Sequence, residues 1–286
     1  MANVFDAMKR REAEQAKTAE SAPNSRADTS HAEAIKPVGA DAARGTPPVP
    51  TASLQMAHTT IASTNGYSEV LQAHHDRGGV IAEQYRAIRT ALLAQYPDRR
   101  FCLMVTSASA SEGKTVTTLN TAIMLAERRD SSVVVVDSDL RKGQVAALLR
   151  GKTSPGLTDV LHGKAKLKDV IQPTVYPNLS FVSGGRASSE EVSELLSRPE
   201  MGEIIAELRQ AYDCVLVDTP PVALVADTGV LGHAVNQALM VVRMNKTNMD
   251  SVDRAVRLLR AANVSVVGMV LTHQQYHVPN YLYKYS

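Results

Sequence analysis

Eight residues in the first half of the chain have the types and spacing of a phosphate-binding loop. The sequence Ala108-Ser-Ala-Ser-Glu-Gly-Lys-Thr115 follows the apolar stretch FCLMVT and precedes a segment with helical periodicity. Small residues let successive backbone N–H groups curl around a phosphate, and the N-terminus of the following helix adds a partial positive charge. In this spacing Lys114 reaches the outer phosphates of a nucleotide, and the Thr115 hydroxyl binds Mg²⁺. The predicted phosphate-binding set, with Ala108 where glycine is usual, is Ala108, Ser109, Ala110, Ser111, Glu112, Gly113, Lys114, Thr115 and Val116.

Aspartates follow two further apolar stretches. A run of four valines leads into Asp137-Ser-Asp-Leu-Arg, and the stretch VLV leads into Asp218-Thr-Pro-Pro. Carboxylates at the carboxyl ends of parallel strands project into the crevice where open α/β sheets bind ligands. Metal-assisted phosphoryl transfer needs hard oxygen ligands around Mg²⁺. We therefore expect Thr115, Asp139 and Asp218 at the cation, and Lys114, Asp137 and Asp139 among the catalytic residues.

Valine-rich stretches and the helices between them indicate the fold. The stretches lack polar alternation, which is typical of parallel strands that are buried on both faces. The predicted strands are Phe101–Thr106, Val133–Val136, Leu179–Ser183, Cys214–Val217, Leu239–Val242 and Val264–Leu271. The predicted helices between them include Thr115–Arg128, Gly202–Tyr212 and Asp250–Ala262. The sequence therefore predicts an α/β fold of the P-loop NTPase type, with a mostly parallel sheet flanked by helices.

Composition divides the chain into three parts. Residues 1–78 carry five prolines among many Ala, Ser and Thr residues, so we expect a largely disordered extension. Near its start, Asn3–Glu20 is rich in helix formers and predicts a short helix of marginal stability. Residues 79–275 form the predicted P-loop domain. Residues 276–286 form a flexible tail that holds four of the nine tyrosines.

Charge, hydropathy and cysteine content exclude several classes of protein. The formal net charge of +2 gives no large electrostatic footprint for nucleic acid. No apolar run approaches the ~20 residues of a membrane-spanning helix, and the N-terminus lacks the apolar core of a signal peptide, so we expect a cytoplasmic protein. Cys102 and Cys214 lie within apolar runs, which indicates buried core residues rather than disulfide or metal partners.

The sequences ASASEGKT, VVVVDSDLR and VLVDTPP together resemble a bacterial tyrosine kinase, whose nucleotide site has the motifs Walker A, A′ and B. The D-x-D-x-R pattern of the A′ motif is the specific part, because a phosphate loop alone identifies only a nucleotide-binding superfamily. The resemblance runs from about Gly79 to the end of the chain. It implies that ATP and Mg²⁺ are used to phosphorylate protein tyrosines, in the service of surface polysaccharide synthesis and export. Asp137 or Asp139 would accept or orient the tyrosine proton while the other helps the metal, and the sequence leaves this division open.

A charged segment before the first strand also follows the family pattern. Glu83, Arg86 and Arg89 match its E-x-x-R-x-x-R motif, which in relatives supports a ring-shaped oligomer. Their spacing of three places them on one face of a helix, where they could pair with charges of a neighbouring subunit. The alternative is a solvated charged face.

The C-terminal segment resembles the tyrosine cluster of the same family. Its four predicted phosphoacceptors are Tyr276, Tyr281, Tyr283 and Tyr285. A flexible tail could reach the active site of a neighbouring subunit, and each phosphate would add negative charge that could open a ring. The alternative is an edge strand or an adhesive aromatic tail.

The chain departs from the family pattern in two places. After the last predicted strand, Thr272 stands where many P-loop relatives have an asparagine that helps to read adenine. Family members are also often fused to a membrane-embedded chain-length regulator, and this sequence has no such segment. We therefore expect a stand-alone cytoplasmic form that a separate membrane adaptor recruits to the inner face of the membrane.

Two other functions share this fold. An ATPase switch of the cell-division and partitioning type carries a second lysine five residues before the Walker lysine, and Ser109 occupies that position here, which counts against this class. A non-catalytic regulator would bind nucleotide and present its tail to partners. Phosphotyrosine in the tail that is lost on replacement of Lys114 would distinguish a kinase from both.

Overall fold

Seven strands form one sheet within residues 66–222, 231–232 and 234–274, which are the residues described in a computed structural model of the chain. They are β1 (Phe101–Ser107), β2 (Val133–Asp137), β3 (Ile171–Pro173), β4 (Leu179–Val182), β5 (Cys214–Asp218), β6 (Gln237–Arg243) and β7 (Ser265–Thr272). All the strands except β3 confirm the predicted strands, with ends displaced by at most two residues. The sequence pattern does not predict β3, because three residues that include a proline carry too little periodicity.

The strand order β3-β4-β2-β5-β1-β6-β7 places the phosphate loop at the centre of the sheet edge. Every neighbouring pair is parallel except β3 and β4, which are antiparallel. β1 lies between β5 and β6, and β2 lies on the other side of β5. The carboxyl ends of β1, β5 and β2 therefore meet, and they bring together the phosphate loop and both aspartate motifs, as the predicted fold requires.

Helices cover the sheet and, in two cases, begin with residues suited to helix starts. Those described in full are α1 (Gln72–His75), α2 (Val80–Gln95), α3 (Lys114–Ala126), α4 (Val145–Leu148), α5 (Leu157–Leu161), α6 (Leu167–Val170), α7 (Val192–Ser197), α8 (Pro199–Ala211) and α9 (Met249–Ala261). Proline begins α8, where its missing N–H costs nothing, and Asn248 caps α9 by accepting the N–H of Ser251. The three helices predicted from periodicity correspond to α3, α8 and α9.

Apolar side chains form a layer on each face of the sheet. One layer packs β-strand residues such as Met104 against α8 and α9, and the other packs residues such as Leu103 against α1, α2 and α3. All seven residues of β1 are buried, as the lack of polar alternation predicts. Cys102 and Cys214 are free and buried, which confirms their predicted place in the core. Burial raises the thiol pKa of Cys102 to about 12 and of Cys214 to about 11.

Residues 66–78, which composition alone assigns to the N-terminal extension, pack on the sheet-covering helices. Tyr67 is buried in the apolar layer that includes α3. Asn120 of α3 accepts the backbone N–H of Ala73 at 2.8 Å, so a buried amide anchors this segment. Residues 1–65, including the short helix predicted near their start, lie outside the described residues.

Candidate active site

The phosphate loop joins β1 to α3 through sharply turned backbone. Gly113 has φ +92°, a left-handed conformation that glycine adopts without strain, and it directly precedes the first helical residue, Lys114. Ser111 also has a positive φ, +61°, which is uncommon for a residue with a side chain. Ala108 is buried and is not among the residues with positive φ, so its Cβ is tolerated where glycine is usual.

Two hydroxyl groups at the start of α3 hold Asp218. Thr115 Oγ1 donates to Asp218 Oδ2 at 2.6 Å, and the Thr118 hydroxyl shares its proton between the Lys114 carbonyl at 3.0 Å and Asp218 Oδ1 at 3.2 Å. Lys114 is 8% exposed, and its positive charge acts on the same carboxyl. The structure thus brings the predicted residues Lys114, Thr115 and Asp218 together. The sequence reasoning missed Thr118, although its spacing of three from Thr115 on a helix could have revealed it.

Asp137 and Asp218 are register partners on β2 and β5, and each is only 1% exposed. Burial raises the pKa of Asp218 to about 7, although the Thr115 hydrogen bond and the Lys114 charge oppose this shift. Burial and, second, the charge of Asp218 raise the pKa of Asp137 well above its ordinary value. Two enclosed carboxylates disfavour each other's ionised form. The site therefore has a surplus of negative charge, which a divalent cation would neutralise.

The two aspartates of the D-x-D pattern differ in burial and in hydrogen bonding. Asp139 is half-buried, and its Oδ1 accepts the N–H of Lys142 at 3.1 Å. Asp137 Oδ2 accepts the N–H of Val145 at 3.1 Å, whereas Asp137 Oδ1 is buried and has no hydrogen-bond partner among the residues that the structure describes. A buried carboxylate oxygen without a donor calls for an external partner, such as a cation or the proton of a substrate.

The residues present fit a magnesium ion that is bound together with nucleotide phosphates. Among the described residues, no group of three or more His, Cys, Asp or Glu side chains could hold a metal ion by itself. Mg²⁺ in phosphate sites instead takes one or two carboxylates, with the phosphates and water completing its shell. Thr115, Asp139 and Asp218 supply hard oxygen donors of that kind beside the phosphate loop.

Two residues that the sequence reasoning did not select fix the position of the aspartates. A Cβ on Gly143 would lie 2.6 Å from Asp137 Oδ2, so only glycine leaves room for that carboxylate. Ser138 Oγ donates to the backbone carbonyl of Asp218 at 2.7 Å and ties the ends of β2 and β5 together. Neither residue is specified by a sequence motif. The short distance between Gly143 and Asp137 depends on the path of the loop between them.

The three predicted interface residues lie on α2, near the opposite end of α3. Arg86 Nη2 is 3.0 Å from Glu127 Oε1, and Arg89 Nη1 is 2.7 Å from Glu127 Oε2. Glu83 also pairs with Arg86. The shared helical face predicted for Glu83, Arg86 and Arg89 is confirmed, and both arginines have acidic partners within the same chain. Their use in a ring interface stays a prediction.

The four predicted phosphoacceptors, Tyr276, Tyr281, Tyr283 and Tyr285, lie outside the described residues. The chain is described up to Gln274, shortly after β7 ends near the phosphate loop. Within the part that the structure describes, no helix has the length and apolar character that crossing a membrane requires.

Comparisons with known proteins find relatives of this chain among P-loop proteins. The family model described as ParA, NUBPL iron-transfer P-loop NTPase, matches residues 99–284. Tyrosine-protein kinase YwqD of Bacillus subtilis is 32% identical over 191 residues, which cover 66% of this chain and 80% of that relative. Tyrosine-protein kinase ptk of Acinetobacter johnsonii is 32% identical over 197 residues, which cover 68% of this chain and 27% of that relative.

A solved structure is similar over most of the described domain. The kinase domain of the Escherichia coli tyrosine kinase Etk has a TM-score of 0.67 at 29% sequence identity, covering 73% of this chain and 83% of that one. This chain spans only about a quarter to a third of the length of several curated relatives. The similarity therefore concerns only a part of those longer proteins.

Proposed function

Because the chain belongs to the bacterial tyrosine kinase family, we propose that it transfers the γ-phosphoryl group of ATP to protein tyrosines. One observation supports this most directly: a buried carboxylate oxygen of Asp137, to which no described residue donates a hydrogen bond, lies beside the Thr115–Asp218 pair at the phosphate loop. A phosphate loop with one carboxylate is common to many NTPases. A second carboxylate with a free oxygen offers an acceptor for the proton of an incoming hydroxyl group.

The first part of the proposal is the nucleotide and its cation. Backbone N–H groups from Ser109 to Val116 and the Lys114 ammonium hold the β- and γ-phosphates. Thr115, Asp139 and Asp218 would hold Mg²⁺, which, when bound, would neutralise negative charge on the phosphates. The two hydroxyl groups that bind Asp218 keep its oxygens oriented before the ligand arrives. Preorganisation of this kind lowers the cost of binding.

The second part is the transfer itself. The phenol oxygen of tyrosine bonds to the γ-phosphorus while the bond from that phosphorus to the bridging oxygen of ADP breaks. The phenolic proton passes to a carboxylate, for which we choose Asp137 because no described residue donates a hydrogen bond to its Oδ1. Asp139 is assigned to the cation, because its charge acts on Asp218 and its Oδ1 already accepts the N–H of Lys142.

The third part concerns substrates and regulation. We propose Tyr276, Tyr281, Tyr283 and Tyr285 as acceptors, phosphorylated in trans by a neighbour within a ring that uses Glu83, Arg86 and Arg89. Each phosphate adds about −1.5 to −2 charges, so repeated phosphorylation favours separation of subunits. The kinase would be cytoplasmic, would be recruited by a separate membrane adaptor, and would regulate surface polysaccharide synthesis and export. The E-x-x-R-x-x-R pattern supports the ring, and the tyrosine cluster supports the acceptors.

Mapping of phosphorylated residues tests the proposal. Purified protein is incubated with Mg-ATP, with and without the cytoplasmic end of a candidate adaptor, and phosphosites are located by mass spectrometry. We expect phosphotyrosine within residues 276–286, and at least a ~100-fold loss in Lys114→Met and in Asp137→Asn. Asp137→Asn should still bind Mg-ADP, because the phosphate loop and Asp218 are intact. Lys168→Met, which replaces an exposed lysine on α6, is the matched control and should retain activity.

Other outcomes would favour the competing functions. ATP hydrolysis without phosphotyrosine under both conditions would contradict the kinase and favour the ATPase switch. Nucleotide binding with neither hydrolysis nor phosphotyrosine would favour a non-catalytic regulator. Loss of Mg-ADP binding in Asp137→Asn would indicate that Asp137 binds the cation and is not the proton acceptor.

A further inference from the structure

The end of β7 is hydrogen-bonded to the phosphate loop. Thr272, the last residue of β7, donates its hydroxyl to the backbone carbonyl of Glu112 at 2.7 Å. Its Cγ2 lies 3.7 Å from where a Cβ on Gly113 would be, so it also packs against the loop. The Met244 N–H donates to the Thr272 carbonyl at 3.0 Å and fixes this residue to the chain that follows β6. Thr272 therefore links the outermost strand to the centre of the sheet edge.

The loop between β6 and α9 also contacts Glu112, at its side chain. Thr247 Oγ1 donates to Glu112 Oε1, and Glu112 is fully buried. Arg243 at the end of β6 lies near the preceding carbonyl, with Nη1 3.4 Å from Ser111 O. Glu112 is thus held twice from the C-terminal third of the chain, once at its backbone and once at its carboxylate.

The hydrogen bonds act on the part of the loop where the backbone is least favourable. Ser111 and Gly113, on either side of Glu112, both have positive φ. A non-glycine residue in this conformation persists only when its surroundings over-determine it. The backbone N–H groups of this turn are the ones that the proposed function aims at phosphate. Loss of a hydrogen bond from Thr272 or Thr247 would let the turn relax, and its N–H groups would then point away from the phosphate.

We infer that Thr272 and Thr247 are positioning residues for the nucleotide, acting through Glu112 to hold the phosphate loop in its binding conformation. This inference rests on the proposed function only in that the loop binds nucleotide. It also gives Thr272 a role in place of the asparagine that many P-loop relatives have at this position. The hydroxyl of Thr272 orients the loop instead of contacting the base.

Replacement by valine tests the inference, because it removes each hydroxyl and keeps the side-chain shape. The dissociation constant of Mg-ADP, by calorimetry, should rise about fivefold in Thr272→Val and in Thr247→Val, as expected for loss of one net hydrogen bond. The KM for ATP should rise similarly, with kcat changed less than about twofold. Thr272→Ser and Thr247→Ser, which restore the hydroxyl, should recover most of the affinity. Thr90→Val is the matched control, since the Thr90 hydroxyl donates to the Arg86 carbonyl on exposed α2.

A second comparison separates positioning from general stabilisation. In a Glu112→Ala background, Thr247→Val should have no further effect, because its acceptor is gone. Thr272→Val should still weaken Mg-ADP binding there, because it holds the backbone carbonyl. Unchanged affinity in both valine variants of the otherwise wild-type chain, or an equal effect of Thr247→Val in both backgrounds, would overturn the inference.

Measuring affinity keeps the role of the threonines separate from the kinase proposal. A wild-type chain that binds Mg-ADP without forming phosphotyrosine would contradict the proposed function, and the same affinities would still decide the role of the threonines. If Thr272→Val does not fold, Thr247→Val decides the matter alone, because Thr247 lies on a partly exposed surface loop.

Discussion

The charged clusters at the two ends of α3 differ in how their acidic side chains are paired. At the N-terminus of α3, the carboxyl groups of Asp137 and Asp218 lie side by side, and burial, together with the charge of Asp218, raises the pKa of Asp137. The charge of Lys114 acts on Asp218, where it opposes the rise in pKa that burial causes. Just beyond the C-terminus of α3, one carboxylate, Glu127, binds Arg86 and Arg89. Burial alone would raise the pKa of Glu127, but the two arginine hydrogen bonds outweigh it and lower that pKa.

The difference shows which charges serve folding and which await a ligand. A carboxylate at a helix C-terminus opposes the helix dipole, and here two cations compensate for it. Arg89 also donates to the Met124 carbonyl at 3.0 Å and so satisfies an acceptor in the last turn of α3. At the N-terminal end, none of the described residues donates a hydrogen bond to Asp137 Oδ1. The carboxylate of the C-terminal cluster has its partners within the chain, whereas the N-terminal cluster keeps a carboxylate oxygen available for the cation and phosphates of the proposed function.

The largest expected effect is at the N-terminal end. Asp218→Asn should lower phosphotyrosine formation at least ~100-fold and at the same time raise the thermal midpoint of the metal-free protein. The carboxyl has a pKa of about 7 when folded and about 3.8 when unfolded, so the folded state binds more protons between these values. Wild-type stability should therefore fall as pH rises from 4 to about 7, by roughly 2 to 4 kcal/mol relative to Asp218→Asn.

Thermal scans in EDTA at several pH values measure this difference. Asp139→Asn is the comparison, because Asp139 is half-buried and its removal should change the metal-free midpoint much less. If Asp218→Asn is less stable than wild type at pH 8 without Mg²⁺, the two ends of α3 do not differ in the way described.

The opposite result is expected at the C-terminal end. Glu127→Gln should destabilise the protein by about 2 kcal/mol, because within the described part of the chain it removes the acidic partner of Arg89 and leaves Arg86 with only the exposed Glu83. The pKa of Glu127 is lowered by folding, so its contribution is present above pH 4.5 and is lost as pH falls through the folded pKa. Urea titrations at pH 7 and pH 3.5 should therefore differ less for Glu127→Gln than for wild type. Equal stability of the two proteins at pH 7 would show that this cluster contributes nothing.

The smallest effect on stability is expected for Glu83→Gln. Glu83 pairs with Arg86, but its side chain is 64% exposed, so the pair should contribute less than about 0.5 kcal/mol. Light scattering of the same variant tests the predicted ring. A smaller oligomer with unchanged unfolding midpoint would assign Glu83 to an intersubunit contact, whereas an unchanged mass would leave it as a surface charge.

Much of the candidate active site could be proposed from the sequence, because its residues lie in local patterns. The phosphate loop follows an apolar strand, and each aspartate motif follows a valine-rich strand, so the sequence alone is enough to select residues 108–116, Asp137, Asp139 and Asp218. Thr118 could also have been found, since it lies one turn from Thr115 on the helix. Gly143 could not, because the distance from its Cβ position to Asp137 depends on how the intervening loop folds back.

The sequence by itself determined the described strands other than β3, the helices α3, α8 and α9, the parallel sheet and the nucleotide motifs, because burial and backbone preference act over a few neighbouring residues. Only the tertiary structure decided which distant residues meet. It pairs Asp137 with Asp218 across β2 and β5, sets Glu127 between two arginines, and joins Thr272 to Glu112 across 160 residues of sequence. These contacts depend on strand order and helix packing, which a single sequence does not encode in any local pattern. The same reason explains why the shared helical face of Arg86 and Arg89 was predictable and their partner Glu127 was not.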